Sequence, residues 1–258
     1  MPRLPLLSRR LLLPACCALL VSAGCEKTPS PFAKVDGAWT YRGVPIAGAD
    51  TATFAVLSDH YAKDRAHVWY ADTYRDGREY WSIAHPRVFA IDDADAPSFR
   101  YLARDIARDA NAVYDEGRRH SVRDIASFAL QDDGFARDRV AGYCHLTEIP
   151  GSDGATFARL DAYYAKDRWR AYFCSFGTDG DGRPAHAKFA RVADGRVDSF
   201  RPLDRGYAMD GKVVYYRGEV VPDADPATFA VLGATDNGVD ARDARHNYTM
   251  GRPVVPAP

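Results

Sequence analysis

Seven histidines, the cysteines Cys144 and Cys174, and a run of alternating aspartate and glycine are the residues whose types could do chemistry. Asp179-Gly180-Asp181-Gly182 has the composition of a calcium loop, where carboxylates at alternate positions gather a hard cation. Arg183 stands at the third ligand position and Ala190 at that of the closing glutamate, so an EF-hand is excluded. Two stretches, 72–90 and 175–192, each carry Asp-Gly-Arg, as Asp76-Gly77-Arg78 and Asp181-Gly182-Arg183, with His85 and His186 downstream. They read either as two insertions building one ligand or metal site or, more simply, as hairpins with glycine at their turns. His60, His67, His120, His145 and His246 stand singly, without metal-ligand spacing, although His60 and His67 flank one hairpin and could meet. There is no Gly-x-Ser-x-Gly elbow, no glycine-rich phosphate loop, and no nucleophile signature around either cysteine. The expectation is therefore no catalytic residue, no metal and no cofactor.

What must position side chains in this chain is a repeat. Six times an aspartate is followed five residues later by a large aromatic: Asp64 and Trp69, Asp109 and Tyr114, Asp138 and Tyr143, Asp167 and Tyr172, Asp210 and Tyr215, Asp243 and Tyr248. In the first five, a phenylalanine lies ten residues before the aspartate, as Phe54, Phe99, Phe128, Phe157 and Phe200; Phe229 precedes Asp243 by fourteen, so the last copy carries a four-residue insertion near 233–237. Recurrence at this period marks an array of units that bury apolar faces on one another. A group present in every copy serves what all copies share, so these aspartates and rings read as structural. Asp opening a tight turn accepts a backbone N–H two residues on. Each unit then reads as two or three strands after a short helical turn, as at Asp225 to Leu232, where Asp225 caps and Pro226 opens the turn. Phe229 and Leu232, three apart, would share a face of that turn, as would Phe54 and Leu57. The segment from Ser98 to Leu130 also has the pattern of an amphipathic helix, but Phe99, Asp109 and Tyr114 keep the repeat spacing. The fold class is all-β with short helical turns, an open solenoid-like array in preference to a closed ring.

Residues 1–24 read as a secretory signal: Arg3, Arg9 and Arg10 precede an apolar run too short to span a bilayer. Ser22-Ala23-Gly24 before Cys25 resembles a bacterial lipobox, with Ser22 where leucine is commoner. The resemblance implies cleavage before Cys25 and acylation of that residue; Glu26 after it implies sorting to the outer membrane. Residues 25–32 would be the lipidated cysteine and a Pro29- and Pro31-containing linker, 33–250 the repeat domain, and 251–258 a disordered tail. Removing three arginines from a formal net charge of −1 leaves −4, with no basic run for nucleic acid. Cys144 and Cys174, 30 residues apart, are free to form a disulfide in an oxidising compartment or to remain buried thiols. Their neighbouring phenylalanines are 29 apart, and that one-residue offset sets the two on opposite faces of regular strands, so a bond would need a bulge or turn.

Tyr61-Ala62-Lys63-Asp64, Tyr164-Ala165-Lys166-Asp167 and Tyr207-Ala208-Met209-Asp210, each followed by an aromatic strand, resemble the DKNYY repeat of bacterial surface and periplasmic proteins. The lysine and asparagine after the family's aspartate are replaced by Arg65-Ala66, Ala110-Asn111 or Gly211-Lys212, so the copies are diverged. The resemblance implies architecture and an envelope setting, not a reaction. The expected function is a non-catalytic envelope lipoprotein, a scaffold or binding module for an envelope protein or glycan, held to the membrane by its lipid. Trp69, Trp81, Trp169 and the tyrosines could face such a ligand or pack across strands. The alternative is a periplasmic enzyme acting on cell-wall or glycan material, with its site in 72–90 and 175–192.

Overall fold

The computed structural model describes residues 30–77, 83–132, 134–175, 188–194, 197–233 and 238–254. They form seven small antiparallel sheets: three strands over 32–45, and four strands each over 55–90, 100–120, 129–148, 158–194, 201–220 and 230–253. In every sheet, strands consecutive in sequence are hydrogen-bonded neighbours, the order that short hairpin turns impose. In the second sheet Tyr61–Lys63 pairs with Val68–Tyr74 across the turn that Asp64 opens, and Val68–Tyr74 pairs with His85–Ala90.

Within each repeat the aromatic five after the aspartate pairs with an alanine two before it: Ala62, Ala107, Ala136, Ala165, Ala208 and Ala241 oppose Trp69, Tyr114, Tyr143, Tyr172, Tyr215 and Tyr248. A small side chain there lets the ring lie across the neighbouring strand. All six alanines are buried.

The sheets stack face on face. Six apolar clusters each join one sheet to the next, from Phe32, Tyr41 and Ile46 against Ala62 and Trp69 at one end to Tyr207 and Val214 against Ala241 and Tyr248 at the other. Among the described residues no cluster joins the first sheet to the seventh, which is the arrangement of an open array. Because side chains alternate along a strand, each sheet sends one set to the preceding sheet and the other to the following one. Trp69 packs back onto the first sheet, whereas Val68 and Tyr70 pack forward onto the third.

Two details of the sequence reading change. The helical turn is shorter than Asp225 to Leu232: Thr228 N–H closes it onto the Asp225 carbonyl at 3.2 Å, and Ala230–Val231 are already a strand. Extended chain after the turn puts Phe54 and Leu57 on opposite faces, Phe54 stacked on Trp39 of the first sheet and Leu57 packed toward the third. The tail boundary also moves, because Arg252–Pro253 form the last strand, paired with Tyr248 and Thr249. The segment from Ser98 to Leu130 keeps the repeat: Arg100–Ala103, Ile106–Arg108, Val113–Asp115 and Arg118–His120 are strands, and Ile125–Ser127 a single 3-10 turn.

Candidate functional site

The recurrent aspartates are hydrogen-bond hubs. Asp138 accepts the Val140 and Ala141 N–H groups on one oxygen, at 2.7 and 2.8 Å. Its other oxygen accepts the Asp124 N–H at 2.8 Å and the Tyr143 hydroxyl at 2.5 Å. Asp109, Asp167 and Asp243 hold the same four donors. Asp210 shows three of them, from Lys212, Val213 and Tyr215. Asp64 has three, since Trp69 brings no hydroxyl. Burial alone would raise the pKa of Asp109, Asp138 and Asp243; the hydrogen bonds to the ionised form outweigh it and hold all three below the ordinary 3.8. A carboxylate so occupied is a fastener, not a base.

A second recurrent polar group was not recognised from the sequence. Thr53, Ser98, Ser127, Thr156, Ser199 and Thr228, each just before the repeat phenylalanine, accept the N–H of the residue after the hub at 2.8 to 3.3 Å. The signal was present as hydroxyl-phenylalanine pairs in all six copies.

Between sheets a further lock operates. The Tyr61 hydroxyl, three residues before its hub, donates to the Asp105 carbonyl of the third sheet at 2.8 Å and accepts the Gly117 N–H at 3.0 Å. Tyr164 bridges Gly206 O and Gly218 N–H likewise, and Tyr207 bridges the Asp240 carboxylate and Gly251 N–H. These glycines have positive φ, and a Cβ on them would lie 2.8, 2.8 and 2.5 Å from Cβ of Tyr70, Phe173 and Tyr216, so the following turn can sit directly on an aromatic of the preceding sheet. Where Phe32 or Phe135 replaces that tyrosine, the next sheet carries one of the two long hairpins.

One junction has neither device. Between the third and fourth sheets, Ile106 stands in place of the tyrosine, Asp115 in place of the aromatic six after the hub, and Leu146, at φ +60°, in place of the glycine. A cleft of about 600 Å³ opens there, lined by Tyr101, Ile106, Phe128 and Leu146 with Arg104, Asp115, Asp132 and His145. That volume suits a small molecule. Asp115 is half-buried, and its carboxylate, among the described residues, makes no hydrogen bond or ion pair. Burial, then the nearby Glu116 and Asp105, raise its pKa to about 6, against a smaller opposite pull from Arg118. Burial lowers the pKa of His145, leaving it neutral. Arg104 pairs with Asp132 at 3.5 Å, and Gln131 is engaged by Phe157 O and Arg159 N–H of the fifth sheet. Sequence reasoning missed Asp115; its signal is an acid where the other copies carry a ring (Tyr70, Phe173, Tyr216), a cysteine (Cys144) or a threonine (Thr249).

Cys144 and Cys174 are bonded, with Cα atoms 5.9 Å apart. The opposite-face parity is what joins them and no bulge is needed: the fourth and fifth sheets are stacked, so a forward-facing Cys144 confronts a backward-facing Cys174. Cys144, His145 and Cys174 cluster closely enough to share an ion, but a disulfide presents no thiolate to bind one. His60 and His67 find separate partners, Asp105 at 2.5 Å and Asp64 at 3.6 Å. His85 lies against the Tyr74 ring. Trp69 is buried, whereas Trp169 is 58 % exposed with Arg168 over its ring. Cys25, Arg78, Trp81, residues 179–183 and His186 lie outside the described residues.

Seven stacked antiparallel meanders, six of them fastened by an aspartate whose carboxylate is filled with fixed donors, define a β-repeat protein. The DKNYY family matches the chain over residues 32–176 and again over 80–252. The chain belongs to that family. No curated protein and no solved structure matches it.

Proposed function

We propose that this chain is a non-catalytic binding module of a bacterial envelope, anchored by lipid at Cys25 and facing the periplasm from the outer membrane. One observation carries the reading: among the described residues the buried acids are the repeat aspartates, already filled with fixed donors, while the one junction that departs from the repeat opens as a cleft. Buried, saturated carboxylates hold a scaffold rigid; a cleft built from unlike residues gives it something to bind. The bonded cysteines accord with an oxidising compartment. Exposed Trp169 offers a second contact surface for an envelope protein or glycan.

Palmitate labelling of the wild type and of Cys25→Ser tests the anchor, and equal labelling would sink it. Recovery of an envelope partner that is lost in Trp169→Ala supports the module. Glycan or cell-wall hydrolysis abolished by His85→Ala or His186→Ala, with no partner recovered, would instead establish the enzyme.

A further inference from the structure

Deepening the binding-module reading, we infer that the cleft between the third and fourth sheets binds a small hydroxyaryl ammonium compound, one that replaces the tyrosine this junction lacks and sets its cationic nitrogen on Asp115. The cleft is the imprint of a missing side chain. At three other junctions a phenol from the preceding sheet occupies this place, its hydroxyl held between a turn carbonyl or carboxylate and a turn N–H. At this junction Ile106 stops short of those groups. Their counterparts in the fourth sheet are the Gly134 carbonyl and the Leu146 N–H; among the described residues the former receives the His145 N–H at 2.7 Å and nothing else, and the latter meets no partner. Gly134 and Leu146 both line the cleft.

The walls suit an aromatic ring: Tyr101, Ile106, Phe128, Leu130, Phe135 and Leu146. The charge is decided by elimination. Arg104 and Asp132 pair with one another, Gln131 is engaged elsewhere, and burial lowers the His145 pKa, which leaves the Asp115 carboxylate as the acid in the wall that, among the described residues, has no ion-pair partner, Arg118 acting on it only from beyond contact. Anionic phenols are disfavoured by that carboxylate, and by Glu116 and Asp105 near it. Neutral phenols fill the ring site but leave the acid unanswered.

Tyramine is the probe, with phenethylamine, p-cresol and 4-hydroxyphenylacetate as partial mimics, titrated into the full chain with its disulfide intact while backbone amide NMR shifts are followed. The expected result is saturable tyramine binding that shifts Gly134 and Leu146. Each mimic should be weaker by roughly tenfold, the order of one charge-assisted or buried hydrogen bond. Asp115→Asn should erase the preference of tyramine over p-cresol while p-cresol still binds. Ile106→Tyr, which puts back the missing ring, should abolish binding of all four. Binding of 4-hydroxyphenylacetate as tight as tyramine, unchanged preference in Asp115→Asn, or no tyramine binding at all would overturn the inference. Those failures leave the module reading standing where an envelope partner is still recovered through Trp169; loss of both the partner and every probe ends the two together.

Discussion

The junction between the third and fourth sheets and that between the sixth and seventh occupy the same place in a three-sheet pattern, and they differ at three positions. Tyr207, Tyr216 and Gly251 close the latter; Ile106, Asp115 and Leu146 leave the former open. The hub aspartates on both sides are alike, down to the two turn N–H groups on one oxygen. Hub and lock are thus separable: the hub makes the unit in the second to seventh sheets, and the lock between sheets decides whether a junction is closed or opens as a cleft.

The sharpest way to break the comparison is Tyr207→Ile, which strips the partner from the Gly251 N–H and the Asp240 carboxylate and leaves a void. It should cost about 3–5 kcal/mol in denaturant unfolding, with the Gly251 amide losing hydrogen-exchange protection first. Replacing both Cys144 and Cys174 by serine should cost on the order of 3 kcal/mol, since the bridge fastens the junction where Phe135 supplies no hydroxyl. An unchanged midpoint would show that packing alone closes that interface. Converting the open junction to the closed type, by Ile106→Tyr with Asp115→Tyr and Leu146→Gly, should add about 1–2 kcal/mol and remove the strain of a leucine at positive φ.

The smallest effect concerns titration and runs in opposite directions at the two kinds of aspartate. The hub carboxylates of Asp109 and Asp138, held below 3.8 by hydrogen bonds that outweigh burial, bind fewer protons folded than unfolded, so their stabilisation is present above about pH 4 and is lost as pH falls through their folded values. Asp115, raised to about 6 by burial and by Glu116 and Asp105 against Arg118, favours the fold below about pH 4 and loses that advantage as pH rises through 6. Arg104, Asp132 and His145 share its cleft. Asp115→Asn should therefore raise the thermal midpoint modestly at pH 7 and leave it unmoved at pH 4; a lowered midpoint at pH 7 would contradict the assigned burial.

Most of the repeat was legible because its signals are local. Aspartate with an aromatic five on, phenylalanine ten before, and the turn chemistry of Asp64 all describe contacts within one unit. What was not legible depends on how units meet. Whether two cysteines of opposite parity can join turns on stacking versus pairing, and only coordinates decide that. A spacing of three puts Phe54 and Leu57 on one face of a helix, while in extended chain it selects two neighbours instead. Asp115 escaped notice because it matters through what it is not, a ring in a place where rings recur.

The double-sided burial of each sheet sets rules for how such a chain can change length. Deleting a single residue inside a strand would exchange its upstream and downstream contacts at once, injuring two interfaces together. Hairpin tips are exempt, since residues added there enter neither face. The extra residues of the last copy follow this rule, falling near 233–237, just outside Ala230–Val231 and Ala241–Arg242, whereas the long hairpins of the second and fifth sheets lengthen paired strands and send Ala71 and Cys174 into the interface with the preceding sheet. Lineages of such proteins should accordingly differ by whole units or by tip length, and a foreign peptide grafted at a tip should leave the stack intact.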